Sequence, residues 1–140
     1  MNKISLLVVE DHERYLEALL DLLSRDQELQ VGGVARTAEE GLEKLGEDTA
    51  DLVLVDIGLP RMDGITFVKH IHTQYPDLLC VMLSGYLSPV YIKKSLQAGA
   101  RGYLLKDNHA GILEGIHRVI KGELYVSKEV GEIDLSFLER

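Results

Sequence analysis

A single cysteine, Cys80, stands in the whole chain. One thiol cannot close an intrachain disulfide, so a disulfide-stapled secreted fold is excluded and a reducing compartment is expected. Long hydrophobic runs are missing too. Met1-Asn2-Lys3 leads into a short apolar run, Ile4 and residues 6–9, which stops at Glu10 and Asp11. That run is too short for a signal peptide or a membrane span, and the reading is a soluble, cytoplasmic protein without membrane contact. Basic charge is scarce: 15 Lys and Arg against 23 Asp and Glu give a formal net charge of −8. This balance argues against direct nucleic-acid contact and suits acid-lined sites for divalent cations. The sequence contains no internal repeat and no low-complexity segment.

The chain does have enough apolar residues for a core. With 140 residues, 46% of them apolar, it suits one domain. Short apolar runs at 4–9, 52–55, 78–83 and 102–105, and a weaker one at 30–35, alternate with segments of helical spacing. The runs are continuous rather than alternating, as expected of strands covered on both faces. Leu16, Leu19, Leu20 and Leu23 form one helical stripe, and Ile112, Ile116, Val119 and Ile120 another. Thr37 with Glu40 reads as a capping box, and Ser88-Pro89 as an N-cap followed by a first-turn proline. Gly46, Gly99 and Gly122 read as helix stops. Five strands and five helices in strict alternation predict an α/β fold, a doubly wound parallel sheet with right-handed crossovers. Residues 123–140, with Ile133, Leu135, Phe137 and Leu138, break the pattern and read as a tail or linker after a domain of residues 1–122.

Ligands of open α/β sheets bind beyond the carboxyl ends of the strands. The runs end in Glu10-Asp11, Asp56, Ser84 and Lys106, while the 30–35 run ends in Arg36-Thr37 and reads as an outer strand. Three carboxylates, a hydroxyl and an ammonium therefore converge on one edge. Clustered carboxylates repel one another unless a cation neutralises them, and Mg²⁺ takes hard oxygen ligands. Phosphoryl transfer needs mainly positioning and charge neutralisation, with Asp56 as the nucleophile, Lys106 as a point charge and Ser84 as a donor. Gly58 leaves room beside the acceptor in the loop of Leu59-Pro60-Arg61-Met62-Asp63-Gly64.

Taken in order, Glu10-Asp11, Asp56 with Leu59-Pro60-Met62-Asp63-Gly64, Ser84 and Lys106 resemble a response-regulator receiver domain of two-component signalling. The spacings suit that family: 45 residues from Asp11 to Asp56, 28 more to Ser84 and 22 more to Lys106. The string Ala98-Gly99-Ala100-Arg101-Gly102-Tyr103-Leu104-Leu105-Lys106-Asp107 resembles the NarL/LuxR-type subfamily. The resemblance implies a flavodoxin/CheY-like sheet of five strands in the order 2-1-3-4-5. It implies Mg²⁺ on Glu10, Asp11, Asp56 and the backbone carbonyl of Gly58, with Asp56 taking a phosphoryl group from a sensor histidine kinase. It also implies a switch in which Ser84 moves toward the phosphoryl group, Tyr103 turns inward and the helix at 88–98 changes shape. Homodimerisation on phosphorylation goes with such a switch. Lys106 is followed by Asp107 where many receivers have proline, so a trans peptide is expected there.

Two other function classes compete. A Mg²⁺-dependent phosphohydrolase with an aspartyl nucleophile commonly places a second acid two residues on, where this chain has Gly58. A degenerate receiver that only docks is opposed by the intact set of acids. Within the receiver reading, the output is open between transcription through a DNA-binding domain outside these residues and stand-alone protein contact.

Overall fold

The computed structural model describes residues 3–86, 88–130 and 135–139; Ile133, counted above among the apolar residues of the tail, lies outside them. The chain runs β1 (Ile4–Val9), α1 (Glu13–Ser24), β2 (Leu29–Ala35), α2 (Ala38–Glu47), β3 (Leu52–Asp56), α3 (Gly64–Gln74), β4 (Leu79–Ser84), α4 (Pro89–Ala98), β5 (Gly102–Leu105), α5 (His109–Ile120) and β6 (Tyr125–Val126). All strand pairings are parallel, in the order β2-β1-β3-β4-β5-β6. Among the described residues, no helix is long and apolar enough to cross a membrane.

The continuous apolar runs are explained by two cores, one on each face of the sheet. Leu7, Val9, Val53, Val55, Met82 and Tyr103 face α2, α3 and α4, where Phe67, Val68, Ile71, Ile92 and Leu96 meet them. Their chain neighbours Leu6, Val8, Leu52, Leu54, Leu83 and Leu104 face α1 and α5, against Leu16, Leu19, Leu23, Ile112, Ile116 and Val119. The expected helix starts are in place. Thr37, Asp63, Ser88 and Asn108 each accept a backbone N–H of the following first turn, and Pro89 opens α4. Gly99 closes α4 with a left-handed φ of 118°, as a glycine stop requires. Gly46 does not stop its helix; α2 continues through Glu47.

The count of five strands is corrected to six. Tyr125 and Val126 pair with Gly102 and Tyr103, extending the 2-1-3-4-5 order by one strand. A two-residue strand is too short to carry a periodicity, so nothing in the pattern of residues 123–140 marks it. Side chains hold it in place. Tyr125 is buried beside Leu104, in space left by Gly115, where a β-carbon would lie 2.5 Å from Leu104 Cδ2 and 2.9 Å from Tyr125 Cδ1. Ser127 continues the ladder: its N–H donates to the Tyr103 carbonyl at 2.9 Å, and its Oγ accepts the Leu105 N–H at 2.8 Å. Farther on, the short turn Ser136–Glu139 packs against α4, with Lys93 Nζ 5.6 Å from the centre of the Phe137 ring.

Candidate functional site

The strand order reverses between β1 and β3, and the carboxyl ends of those strands flank the crevice. β1 delivers Glu10 and Asp11, β3 delivers Asp56, β4 delivers Ser84, and the residue after β5 is Lys106. The Lys106 N–H donates to the Ser84 carbonyl at 2.8 Å, which carries the β4–β5 ladder one step further and fixes the lysine over the crevice. The Lys106–Asp107 peptide is trans, as expected without proline.

Asp56 is 7% exposed. Its Oδ1 accepts the Gly58 N–H at 3.1 Å and lies 3.3 Å from Lys106 Nζ. Among the described residues no donor is directed at Oδ2. Glu10 is fully buried. Its Oε2 accepts the His12 N–H at 3.0 Å; its Oε1 receives no well-angled hydrogen bond and faces Lys106 Nζ at 2.7 Å as an ion pair. Burial pushes the Glu10 carboxyl above the ordinary carboxylate range, and the Asp56 charge adds to this. The Lys106 ammonium and the His12 N–H pull the other way. Asp11 is exposed. Carboxylate oxygens of Glu10, Asp11 and Asp56 all lie within 4.8 Å of one another. Three hard oxygen donors so close together fit a divalent cation of the Mg²⁺ class.

The loop after Asp56 is tight because Gly64 makes it so. A β-carbon on Gly64 would lie 2.5 Å from the Asp56 carbonyl oxygen and 2.9 Å from Ile57 Cα. Arg61 takes a left-handed φ of 62°, unusual for a side-chain-bearing residue. At Gly58 a β-carbon would meet Asp56 Oδ1 at 3.8 Å, an ordinary contact, so the open space there begins beyond the β-carbon.

Ser84 and Tyr103 are both fully buried and share one acceptor. The Tyr86 carbonyl accepts Ser84 Oγ–H at 3.1 Å and the Tyr103 hydroxyl at 3.1 Å, while the Tyr86 N–H donates to Ser84 Oγ at 3.0 Å. Tyr103 therefore already points inward here, the orientation that the resemblance attaches to the switched state. The Tyr86 ring is 75% exposed.

Tyr15 belongs to this site and was not singled out from the sequence. Its hydroxyl donates to the Lys106 carbonyl at 3.3 Å, and its ring centre lies 4.6 Å from Lys106 Nζ. Burial and the negative charges of Glu10, Asp107 and Asp56 push its phenol up, so it remains a protonated donor. The available signal was an aromatic residue in the first turn after the acidic pair; its partner is 91 residues away, beyond the reach of any local pattern. Other clefts lie at the amino-terminal edge of the sheet. One of about 380 Å³ is lined by Ser5, Gln30, Gly33 and Lys44.

The comparisons with known proteins fit this geometry. The response regulator receiver domain family matches residues 6–120. The transcriptional regulatory protein DegU of Brevibacillus brevis is 28% identical over 130 residues, covering 92% of this chain and 55% of that protein. The transcriptional regulatory protein MctR of Rhizobium johnstonii is 34% identical over 129 residues, covering 91% of this chain and 60% of that protein. The chain thus spans little more than half the length of these relatives. A LuxR-family two-component response regulator from an Aurantimonas species superposes with a TM-score of 0.88 at 25% identity, over 92% of this chain and 93% of that one. With the family matched across most of its length and the carboxyl edge of its sheet carrying the acids, hydroxyl and lysine in order, this chain belongs to the response regulator receiver domains.

Proposed function

We propose that this receiver is set by transfer of a phosphoryl group to Asp56. The observation that carries the reading is the asymmetry of the Asp56 carboxylate. Oδ1 is held by the Gly58 N–H and Lys106, and Oδ2 is left for attack. In the transfer, an Asp56 oxygen forms a bond to phosphorus as the phosphorus–nitrogen bond of a phosphohistidine breaks, and the electron pair stays with the imidazole nitrogen. Glu10, Asp11, Asp56 and the Gly58 carbonyl would hold Mg²⁺, which supplies charge neutralisation for the phosphoryl oxygens. Lys106 and the Ser84 hydroxyl receive those oxygens from the other side. The chain itself catalyses both this transfer and the later hydrolysis by positioning; it is a switch that resets itself.

The output follows from Ser84. A Ser84 hydroxyl that turns to a phosphoryl oxygen leaves the Tyr86 carbonyl, which Tyr103 also holds. Its departure biases the β4–α4 connection and the surface of α4 between two conformations. The chain acts in the cytoplasm in this reading, and its partners are a sensor histidine kinase and a second copy of the chain that pairs on phosphorylation. The output is transcription through a DNA-binding domain outside these residues, in keeping with the transcriptional regulators among its relatives.

Intact mass after incubation with a small-molecule phosphodonor and Mg²⁺ tests the assignment. One added phosphoryl group is expected on the native chain and none on Asp56→Asn. A gain that survives Asp56→Asn would overturn it.

A further inference from the structure

We propose that Tyr15 is a positioning residue that holds the Lys106 ammonium in place for phosphoryl transfer; this rests on the reading of Asp56 as acceptor. Among the described residues, the ammonium has three neighbours: Glu10 Oε1 at 2.7 Å, Asp56 Oδ1 at 3.3 Å and the centre of the Tyr15 ring at 4.6 Å. Two of the three are carboxylates that the reaction takes away. Glu10 would be drawn toward a bound cation, and Asp56 gives up its own carboxylate charge on becoming an acyl phosphate, whose negative charge sits on the phosphoryl oxygens. The ring face is the neighbour whose attraction does not change during the reaction. It carries the negative side of the aromatic quadrupole and is partly buried against the α1–α5 core, where such attraction is strongest.

The hydroxyl fixes the other end of the same residue. By donating to the Lys106 carbonyl at 3.3 Å, it ties the start of α1 to the turn between β5 and α5. Tyr15 therefore grips Lys106 at its backbone and at its head group. A lysine on a four-carbon stem has many rotamers, and restraint at both ends reduces the number that must be lost when the phosphoryl group arrives. Packing alone would be served as well by leucine at position 15; it requires neither contact with Lys106.

The test combines one spectroscopic and one kinetic readout on the full chain. In NMR spectra of protein labelled at lysine ε-carbons, the Lys106 ε-methylene protons, assigned by loss in Lys106→Ala, are expected upfield of the other lysines through the Tyr15 ring current. Tyr15→Phe keeps that shift; Tyr15→Leu and Tyr15→Met lose it. Phosphorylation by a small-molecule phosphodonor at saturating Mg²⁺ is expected to slow about fivefold in Tyr15→Leu, the factor that loss of one partly desolvated cation–π contact implies. Phenylalanine restores the rate to within about twofold, since only one neutral hydrogen bond is missing. In a Lys106→Ala background, Tyr15→Leu slows nothing further. An unshifted Lys106 signal in the native chain overturns the proposal. So does an unchanged rate in both Tyr15→Leu and Tyr15→Met, or an equal loss with and without Lys106. If the native chain gains no phosphoryl group at all, the reading of Asp56 fails instead, and the ring-current shift alone decides whether Tyr15 holds the lysine.

Discussion

Gly64 lies where the loop from Asp56 turns beneath that residue into α3, and its missing side chain sets how close the two can come. With a β-carbon there, the Asp56 carbonyl oxygen would be 2.5 Å away and Met82 Cε 3.0 Å. Backbone on one side cannot yield as a flexible side chain would. Gly64→Ala is therefore expected to destabilise the fold by about 1–3 kcal/mol, the range of core overpacking, and to slow phosphorylation by displacing Asp56. Urea denaturation reads the first effect, and the rate of mass gain the second. An alanine variant of native stability would show that the loop can relax. The residues at this scale were unevenly legible. Asp56, Glu10, Asp11, Ser84 and Lys106 could be placed because each ends a strand buried on both faces, where a polar residue stands out. Tyr15 and the Tyr86 carbonyl could not, since a tyrosine in an amphipathic helix and a backbone oxygen in a loop carry no mark of what they will face.

Between elements, His117 joins helix α5 to the turn that precedes β2. His117 Nε2 lies 2.6 Å from Asp26 Oδ2, and both side chains are mostly buried. Burial alone would raise the Asp26 carboxyl. The His117 hydrogen bond and the Glu28 N–H outweigh it, and the net shift is downward. A carboxyl lowered in the folded state adds stability above its ordinary unfolded value of about 3.9, and loses that contribution as pH falls through the lower folded value. Asp26→Asn is expected to cost about 1–2 kcal/mol at neutral pH, with the difference from the native chain shrinking below about pH 4. Guanidinium denaturation of both proteins across pH 7 to 2.5 tests this, and a pH-independent gap would contradict it. The alternation of runs made the first five strands and five helices readable, because parallel strands between two helical layers leave long apolar stretches. β6 escaped because its evidence is not in its own two residues. It lies in the gap at Gly115, the Ser127 side chain and the open edge of β5.

For the whole molecule, that added strand closes the β5 edge of the sheet and secures the segment after α5. Asn108 Nδ2 donates to Glu129 at 2.7 Å, and the Tyr125 hydroxyl donates to Glu114 at 3.3 Å. A chain ending at Gly122 would uncover Leu104 and leave the β5 backbone unpaired. Its stability is expected to fall by about 2–4 kcal/mol, from the burial of one aromatic ring and the lost ladder bonds. Sedimentation without a phosphodonor is expected to show more self-association than the longer chain. A truncated protein of unchanged urea midpoint would mean that β6 is only resting on the edge. The buried ion pair of Glu10 with Lys106 has a different consequence, visible on an evolutionary timescale. Well-packed apolar side chains replacing Glu10 and Lys106 together would remove the cost of burying both charges while destroying the site. Selection for folding alone would therefore remove the pair, and a lineage released from signalling would drift toward a sturdier, silent protein.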